Sequence, residues 1–423
     1  MNDLAALFHV IALATATAVP LYAWRQRGRV YATFAAVLLA ISLPGALVLH
    51  ARLSGWLPAA TEGWLDIAFA AAMTATGLQL AHLVNARLRG RVFRWLVSIP
   101  GQSFLAVGFL SGIWLLALSP VRLLLRATFG DAAAHALDWL DLAPLALCVA
   151  SIATSLRLVH DVARVRLGHS GPEHLQRLPV ERHRRKPRTL LEPVLRVVQI
   201  SDPHLGPWQS VGDLQRTIRK LLAHEPDLVL LTGDFLTMEG RGTPGALAEA
   251  LAPLANHGGR CYAIYGNHDH EDPELVAKSL RDNGVDLLID EERLIETPIG
   301  PLQLLGADYR GRERKAHLED FLGRYPRRAD HTRLLLLHDP LTFQHVPLGD
   351  VDLTLSGHTH GGQVGLVSLG LDWTVLSRSR WPDHGLFARG ANRLYVHRGT
   401  GFYGFPLRIG VPGEASLLEI LPA

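Results

Sequence analysis

The chain has 423 residues, of which 48% are hydrophobic, and its formal net charge is only +3. A length of this order predicts two or three domains, and so small a charge does not by itself indicate a nucleic-acid-binding protein. With two cysteines, Cys148 and Cys261, the sequence excludes a disulfide framework and a CxxC zinc motif.

Five long apolar runs occupy the first half of the chain, at residues 4–24, 31–50, 65–84, 104–118 and 142–156. A helix that crosses a bilayer needs about 20 residues, and the last two runs reach this length with their flanks. A soluble bundle of buried helices is the alternative, but five successive runs leave no polar face. A cleavable signal peptide is not expected, because residues 1–15 contain no Lys or Arg. We therefore predict a multi-pass α-helical membrane domain at residues 1–160, with five transmembrane helices.

Arginine is concentrated in alternate loops between these runs. The loops after the first, third and fifth runs contain Arg25, Arg27, Arg29, Arg87, Arg89, Arg91, Arg94, Arg157, Arg164 and Arg166. The two remaining loops contain fewer basic residues, namely Arg52, Arg122 and Arg126. Because basic loops stay on the cytoplasmic side, we expect the N-terminus outside and the C-terminal half in the cytoplasm.

Few ionisable side chains fall within the apolar runs, among them His9, Asp66 and His82. Ionisable residues inside a membrane often mark a functional site. Here each could lie near a membrane interface, so we expect no transport pathway through this domain.

A basic segment at residues 161–193 separates the two halves of the chain. It contains proline, glycine and a cluster formed by Arg182, Arg184, Arg185, Lys186 and Arg188. We predict a solvated linker that also contacts anionic lipid headgroups, at about 1 kcal/mol for each basic residue near the surface.

Strand-like and helix-like segments alternate from residue 194 to residue 423. The strand-like runs include "LRVVQI", "DLVLLT", "CYAIY", "LQLLGA", "RLLLL", "VDLTL" and "RLYVH". Several are continuously apolar, which indicates strands covered on both faces. We predict an α/β (or α+β) domain arranged as an αββα sandwich.

Five of these strand-like runs lead into polar residues of the same few types. The residues are Asp202, His204, Asp234, Asn267, His268, His338, His358 and His360. Sites in open α/β sheets form beyond the carboxyl ends of the strands, so these side chains are expected to converge. Carboxylates, imidazoles and an amide, without a thiolate, suit divalent Mn, Fe, Zn, Co or Ni. So many ligands suit two ions that lie about 3.5–4 Å apart and share one carboxylate.

The ordered set D-x-H, GD, GNHD, H and GHxH resembles the motif set of the calcineurin-like metallophosphoesterases, from residue 196 onwards. "GHTHGGQ" followed by "VHRGTG" is similar to the bacterial membrane-associated branch, which includes relatives of UDP-2,3-diacylglucosamine hydrolases. The resemblance implies a bacterial-type inner (plasma) membrane protein that acts as a metal-dependent phosphoric ester hydrolase.

The same resemblance implies a role for each motif residue. Asp202, His204 and His360 would hold one metal, and Asn267, His338 and His358 the other. Asp234 would bridge the two metals, and His268 would be catalytic, facing the substrate phosphate. Asp269 and His270 could orient the ligands or His268.

The expected reaction is hydrolysis of a phosphoester or pyrophosphate bond by a hydroxide held between the two metals. Residues 371–387 mix Trp373 and Trp381 with Arg378 and Arg380, and Trp208 follows the first ligand pair. Ordinary loop packing explains such residues, but they could also form an amphipathic rim that admits a lipid-linked phosphate. The basic segment at residues 309–328 is expected to be a cap or a solvated helix.

Two alternatives of other kinds remain open. A nucleotide or nucleic-acid phosphodiesterase would use the same ligands, although no nucleic-acid partner is expected. A non-catalytic membrane sensor would keep the metal-binding domain only for binding, but such a relic should have lost some ligands. A transporter regulated by this domain is disfavoured by the few polar residues in the apolar runs.

Overall fold

A computed structural model describes residues 3–168, 170–183 and 192–422 of the chain. The chain divides into two compact units, one formed by Met1–Ala153 with Gly404–Leu407 and the other by Thr154–Tyr403 with Arg408–Ala423.

The first unit is helical. Its helices are α1 (Asp3–Arg27), α2 (Arg29–Trp56), α3 (Ala59–His82), α4 (Arg91–Phe93), α5 (Ile99–Phe129), α6 (Asp131–His135) and α7 (Ala143–Ser155). Among the described residues, five helical segments of 22 to 39 residues are long and apolar enough to cross a membrane. The five predicted apolar helices are therefore confirmed.

Helices α2 and α5 pack closely through small residues. A Cβ atom added at Gly45 would lie 2.3 Å from the Gly108 carbonyl oxygen, and one at Gly112 would lie 2.1 Å from that of Ile41. Lipid tails are as apolar as the helices, so close backbone packing of this kind is a main source of association between membrane helices.

Charged side chains of the first unit pair with each other. Arg122 was expected in a loop, but it lies on α5, whose apolar run continues past it for two more turns. Its guanidinium lies 2.7 Å from the carboxylate of Asp141, which also accepts a hydrogen bond from Arg52. Asp66 is buried and lies 2.8 Å from His50, so its partner within the membrane unit is a histidine that the sequence did not single out.

The second unit contains two seven-stranded sheets. The first sheet has the order β3-β1-β14-β4-β5-β6-β7. Its strands are β1 (Leu158–Arg166), β3 (Glu181–His183), β4 (Leu195–Ile200), β5 (Leu228–Leu231), β6 (Cys261–Ala263), β7 (Asp286–Leu287) and β14 (Gly413–Leu421). Strands β4 to β7 pair in parallel, and β14 lies between β1 and β4.

The second sheet has the order β2-β12-β13-β11-β10-β9-β8. Its strands are β2 (Gln176–Leu178), β8 (Glu291–Thr297), β9 (Gly300–Ala307), β10 (Thr332–Leu337), β11 (Leu353–Ser356), β12 (Gly385–Arg389) and β13 (Asn392–Val396). The helices of this unit are α8 (Val211–Leu222), α9 (Met238–Arg241), α10 (Ala246–Leu251), α11 (Pro273–Arg281) and α12 (Arg314–Arg324).

Apolar side chains from both sheets form the central core of the second unit. Leu195, Leu228 and Leu230 of the first sheet pack in one cluster with Leu304 and Leu336 of the second. These strands are continuously apolar because helices cover their other faces. The predicted α/β sandwich is thus confirmed.

The basic segment at residues 309–328 forms α12, which packs one face on the second sheet. Leu318, Phe321 and Leu322 of this helix join Leu305 and Leu335 in a second apolar cluster. Residues 314–324 of the segment therefore form a half-buried helix of the sandwich rather than a fully solvated one.

The segment predicted as a linker, residues 161–193, contributes strands to both sheets. Most of β1, together with β2 and β3, falls within it; β1 pairs in parallel with β14, and β2 pairs with β12. The second unit therefore begins earlier than residue 194. Strand β1 has the sequence "LVHDVARVR", in which charged residues interrupt the apolar ones, so it reads as a basic linker. Arg184, Arg185, Lys186 and Arg188 of the predicted lipid-binding cluster lie outside the described residues.

Candidate metal centre

The polar residues that follow β4, β5, β6, β10 and β11 converge at one edge of the sandwich. Two groups of side chains each have potential ligand atoms within 4.8 Å of one another, Asp202, His204 and His360 in one group and Asp234, His338 and His358 in the other. The parallel strands carry these residues to the same edge because their carboxyl ends coincide.

Asp234 lies between the two groups. Its Oδ2 atom is 3.3 Å from Nε2 of His338 and 3.8 Å from Nε2 of His204. Within the first group, Nε2 of His360 lies 3.4 Å from Oδ1 of Asp202 and 3.1 Å from Nε2 of His204. One carboxylate therefore reaches both groups, which is the arrangement that a shared ligand requires.

The backbone is left-handed at five of these residues. The φ angles are 49° at Asp202, 43° at His204, 59° at Asp234, 69° at His358 and 51° at His360. Positive φ is uncommon outside glycine and costs about 1–3 kcal/mol per residue. Backbone strain at five neighbouring residues indicates that the directions of their side chains are kept at a cost in local stability.

Two glycines allow the loops to touch. A Cβ atom at Gly357 would lie 1.9 Å from Oγ of Ser201 and 2.2 Å from Oδ2 of Asp202. A Cβ atom at Gly266 would lie 2.3 Å from Oδ1 of Asp234. Each glycine thus stands where another loop presents a carboxylate.

Asp269 fastens two of the loops together. Its carboxylate accepts hydrogen bonds from the backbone N–H groups of Asp234, Phe235 and Gly266, at 2.7, 2.9 and 2.8 Å. The predicted supporting position of Asp269 therefore corresponds to contacts with backbone rather than with a ligand side chain. His270, predicted for the same role, instead lies 2.9 Å from Asp308.

Buried polar atoms of the site lack hydrogen-bond partners. Oδ1 of Asn267 is buried without a hydrogen bond, and the partner of the buried Nε2 of His338 is the Asp234 carboxylate, 3.3 Å away and outside good hydrogen-bond geometry. The other ring nitrogen of His338, Nδ1, lies 2.6 Å from the Thr232 carbonyl oxygen, which orients the ring. Leaving such atoms unpaired is costly, and a cation would compensate for it. The set of carboxylates, imidazoles and an amide fits divalent ions of the predicted kinds.

Burial and charge set the protonation of these groups. Burial lowers the pKa of His204 to about 4 and that of His358 to about 3. Burial also opposes the charge on His338, but the neighbouring Asp234 carboxylate raises its pKa to about 10. Despite burial, the charge of His338 holds the pKa of Asp234 well below its usual range. At neutral pH the imidazoles of His204 and His358 are thus uncharged, whereas that of His338 carries a proton.

His268 lies at the accessible side of the centre. Its backbone N–H donates to Oδ1 of Asp234 at 2.9 Å, and its Nδ1 lies 2.9 Å from the carboxylate of Glu271. Arg241 in turn bonds to Glu271. With Nδ1 engaged, Nε2 of this partly exposed ring is the atom available to a substrate.

Three aromatic rings stand beside the site. Tyr403 stacks on His268 with centroids 4.4 Å apart, and Trp381 lies 5.6 Å from His358. Tyr309 lies 6.3 Å from the same histidine. Of the three, the sequence singled out only Trp381. Tyr309 lies just after the end of β9. This position after a strand is the sequence feature that could have predicted its place at the site.

The other residues suggested for an amphipathic rim do not form one unit. Trp208 is buried and packs on Phe402, whereas Trp373 is 46% exposed. Trp208 is therefore part of the packing beneath the site.

Comparisons with known proteins place these residues in a family context. Residues 195–362 match the family described as calcineurin-like phosphoesterase. The chain is 32% identical over 243 residues to the uncharacterized metallophosphoesterase YkuE of Bacillus subtilis. The matched region covers 53% of this chain and 78% of that protein. It is 28% identical over 233 residues to phosphodiesterase YaeI of Escherichia coli, which covers 53% of this chain and 82% of the relative. It is 30% identical over 252 residues to the transmembrane protein with metallophosphoesterase domain of Danio rerio, covering 54% of each chain.

Proposed function

The chain belongs to the calcineurin-like metallophosphoesterase family, and from this premise we propose that it is a membrane-anchored, dinuclear-metal phosphoesterase that hydrolyses a phosphoester or pyrophosphate bond of a lipid-linked substrate. The activity of its family is the metal-dependent hydrolysis of phosphoesters. The observation that carries the proposal is the position of Asp234, whose carboxylate lies within 4 Å of histidines from both ligand groups.

In this proposal Asp202, His204 and His360 hold one divalent ion, and Asn267, His338 and His358 hold the other. Asp234 is the shared ligand. When bound, such ions would lower the pKa of water and neutralise charge on the phosphoryl oxygens. The strained loops and the Asp269 carboxylate keep the ligand directions fixed before any ion binds.

His268 is the proposed catalytic residue. Its partly exposed ring can donate a hydrogen bond to a phosphoryl oxygen or a proton to the leaving alkoxide. Glu271 holds the opposite ring nitrogen, and Tyr403 holds the ring plane. Both contacts fix the direction of Nε2, on which proton transfer depends.

Two observations support a lipid-linked substrate. The chain carries five helices that could span a membrane, so its phosphoesterase unit works beside lipid. Trp381 lies against His358, so an apolar surface adjoins the metal centre. We further propose a bacterial-type inner membrane, with the N-terminus outside and the phosphoesterase unit in the cytoplasm, on the basis of the arginine-rich loops.

The test compares substrates on the full-length protein in detergent with added Mn²⁺. A soluble aryl phosphodiester, a cyclic nucleotide and a lipid-linked pyrophosphate are assayed side by side. We expect hydrolysis of the soluble diester and a higher kcat/KM for the lipid-linked compound. Equal efficiency would contradict the lipid assignment, and a preference for the nucleotide would favour a nucleotide phosphodiesterase. No turnover of any of them by metal-loaded protein would overturn the proposed activity.

A further inference from the structure

A polar cavity in the phosphoesterase unit adjoins the loop that carries His360, since Arg398 of its lining lies 3.3 Å from a Cβ placed on Gly361. It has a volume of about 370 Å³ and is lined by β1, β2, β3, β12 and the loop after β13. None of the proposed metal ligands lines it.

Four arginines line this cavity, Arg157, Arg177, Arg182 and Arg398, together with two carboxylates, Asp161 and Asp372. Two of the arginines already bind neighbouring groups of the protein. Arg177 bonds to Asp383 and to the His384 carbonyl, and Arg182 to Asp161, Glu414 and Tyr395.

The other two arginines offer donors to a ligand. Arg398 is only 4% exposed, and its Nε donates to Glu414, yet its Nη2 is buried without a hydrogen bond. The Arg157 side chain is exposed at the mouth and makes no hydrogen bond or ion pair among the described residues. A buried guanidinium nitrogen without an acceptor is costly, and a phosphoryl oxygen is its natural partner.

The loop beside the cavity is apolar on its outer side. Leu369 is 75% exposed, and Leu371, Trp373 and Val375 are 53%, 46% and 52% exposed. The intervening residues Val367, Ser368, Gly370 and Asp372 line the cavity. Backbone hydrogen bonds from Leu366 to Trp373 and from Val375 to Val364 close the base of this loop, residues 364–375.

We propose that the cavity binds the phosphoryl group of an anionic lipid headgroup while the apolar side of the loop enters the same bilayer. The partner is a lipid surface because exposed leucine, tryptophan and valine adjoin the arginine donors, a pairing that suits apolar chains below a charged headgroup. The five membrane-spanning segments keep a bilayer within reach of this unit. The site is separate from the proposed reaction and would exist without it.

The test measures the depth of a spin label on the full-length protein in nanodiscs. Leu369→Cys carries the label, and Leu294→Cys, half exposed on β8, is the matched control. The native Cys148 and Cys261 are buried, so they should not take the label. A label that is accessible to oxygen lies in lipid, and a label that is accessible to a nickel chelate lies in water. The nanodiscs contain phosphatidylcholine alone or with phosphatidylglycerol.

We expect the Leu369 label to become oxygen-accessible only with phosphatidylglycerol, while the Leu294 label stays in water. Arg157→Gln should return the Leu369 label towards water, without a change in turnover of a soluble diester. Arg398→Gln should also return the Leu369 label towards water, with circular dichroism to confirm folding. Combining the labelled variant with Asp202→Asn, which should abolish catalysis, should leave the label in lipid. This arm separates the lipid site from the proposed activity.

Three results would overturn the proposal. The label could remain in water in both bilayers, or enter both equally and ignore the arginine substitutions. It could also leave the phosphatidylglycerol bilayer when a low concentration of inorganic phosphate is added. In that last case the cavity would be a site for soluble phosphate rather than for a lipid headgroup.

Discussion

The Tyr403 ring lies parallel to the His268 ring, with an interplanar angle of 8° and centroids 4.4 Å apart. We expect Tyr403→Ala to reduce kcat about two- to tenfold, because aromatic stacking contributes about 0.5–1.5 kcal/mol. Tyr403→Phe keeps the ring and should retain most of the activity. Steady-state kinetics on a soluble diester provide the measurement.

A positioning role for Tyr403 predicts a loss in kcat with little change in KM. His268→Ala should cost more, about 10²–10⁴-fold in kcat, because it removes the proton donor itself. Equal activity of Tyr403→Ala and the unmodified protein would contradict the positioning role.

Asp234→Asn should weaken metal binding in both ligand groups, because one carboxylate adjoins histidines of each. After dialysis, the variant should contain less bound metal than the unmodified protein, and its turnover should be lost. Chelation should likewise abolish turnover, and added Mn²⁺ should restore it. Asp320→Asn is the matched control, since this carboxylate is exposed on α12 and its one ion pair within the described part of the chain is with Arg324.

Metal binding should release a proton from His338. The pKa of this imidazole is about 10, because the Asp234 charge outweighs burial, so the metal-free protein holds the proton at neutral pH. A metal ion needs the free lone pair, and its affinity should therefore rise about tenfold per pH unit for one proton released. Calorimetry in buffers of different ionisation enthalpy measures the release. A binding enthalpy that is the same in every buffer would show that no proton leaves.

Gly357→Ala should disrupt the metal centre. The new methyl group would lie 1.9 Å from Oγ of Ser201, so the loop must move away from Asp202. We expect a free energy of unfolding lower by about 1–3 kcal/mol, together with reduced metal content. Gly323→Ala is the control, since a Cβ there meets nothing within 4 Å inside α12. That change should raise helix stability by about 1 kcal/mol. Thermal unfolding measures the stability of both variants.

The strands that carry the site could be predicted because each is a short apolar run that stops at a polar motif. Strands β4, β5, β6, β10 and β11 all have this form, and their ends point to the residues found together. The left-handed backbone at Asp202 and His358 could not be predicted. It depends on how the loops from different strands meet in the folded protein, and a single sequence does not contain that information.

Other features depend on contacts between distant parts of the chain. Strand β1 pairs with β14, more than 250 residues away, so its charged pattern alone resembled a linker. Tyr403 reaches His268 only through the folded loop after β13. The length of α5 was underestimated because Arg122 and Arg126 suggested a loop, whereas their carboxylate partners, Asp141 and Asp131, allow both to lie on the helix.

The position of β14 sets an order of events during synthesis. Among the described residues this strand follows all the others in sequence, yet it lies between β1 and β4 and pairs with both. While a ribosome is still producing residues 413–421, β1 has no parallel neighbour and β4 lacks one of its two. The helices of the first unit can enter the membrane long before this, so a growing chain is held at the bilayer with an unfinished sheet. Folding of the first sheet therefore waits for β14, and a truncation before residue 413 should leave an anchored protein exposed to proteases.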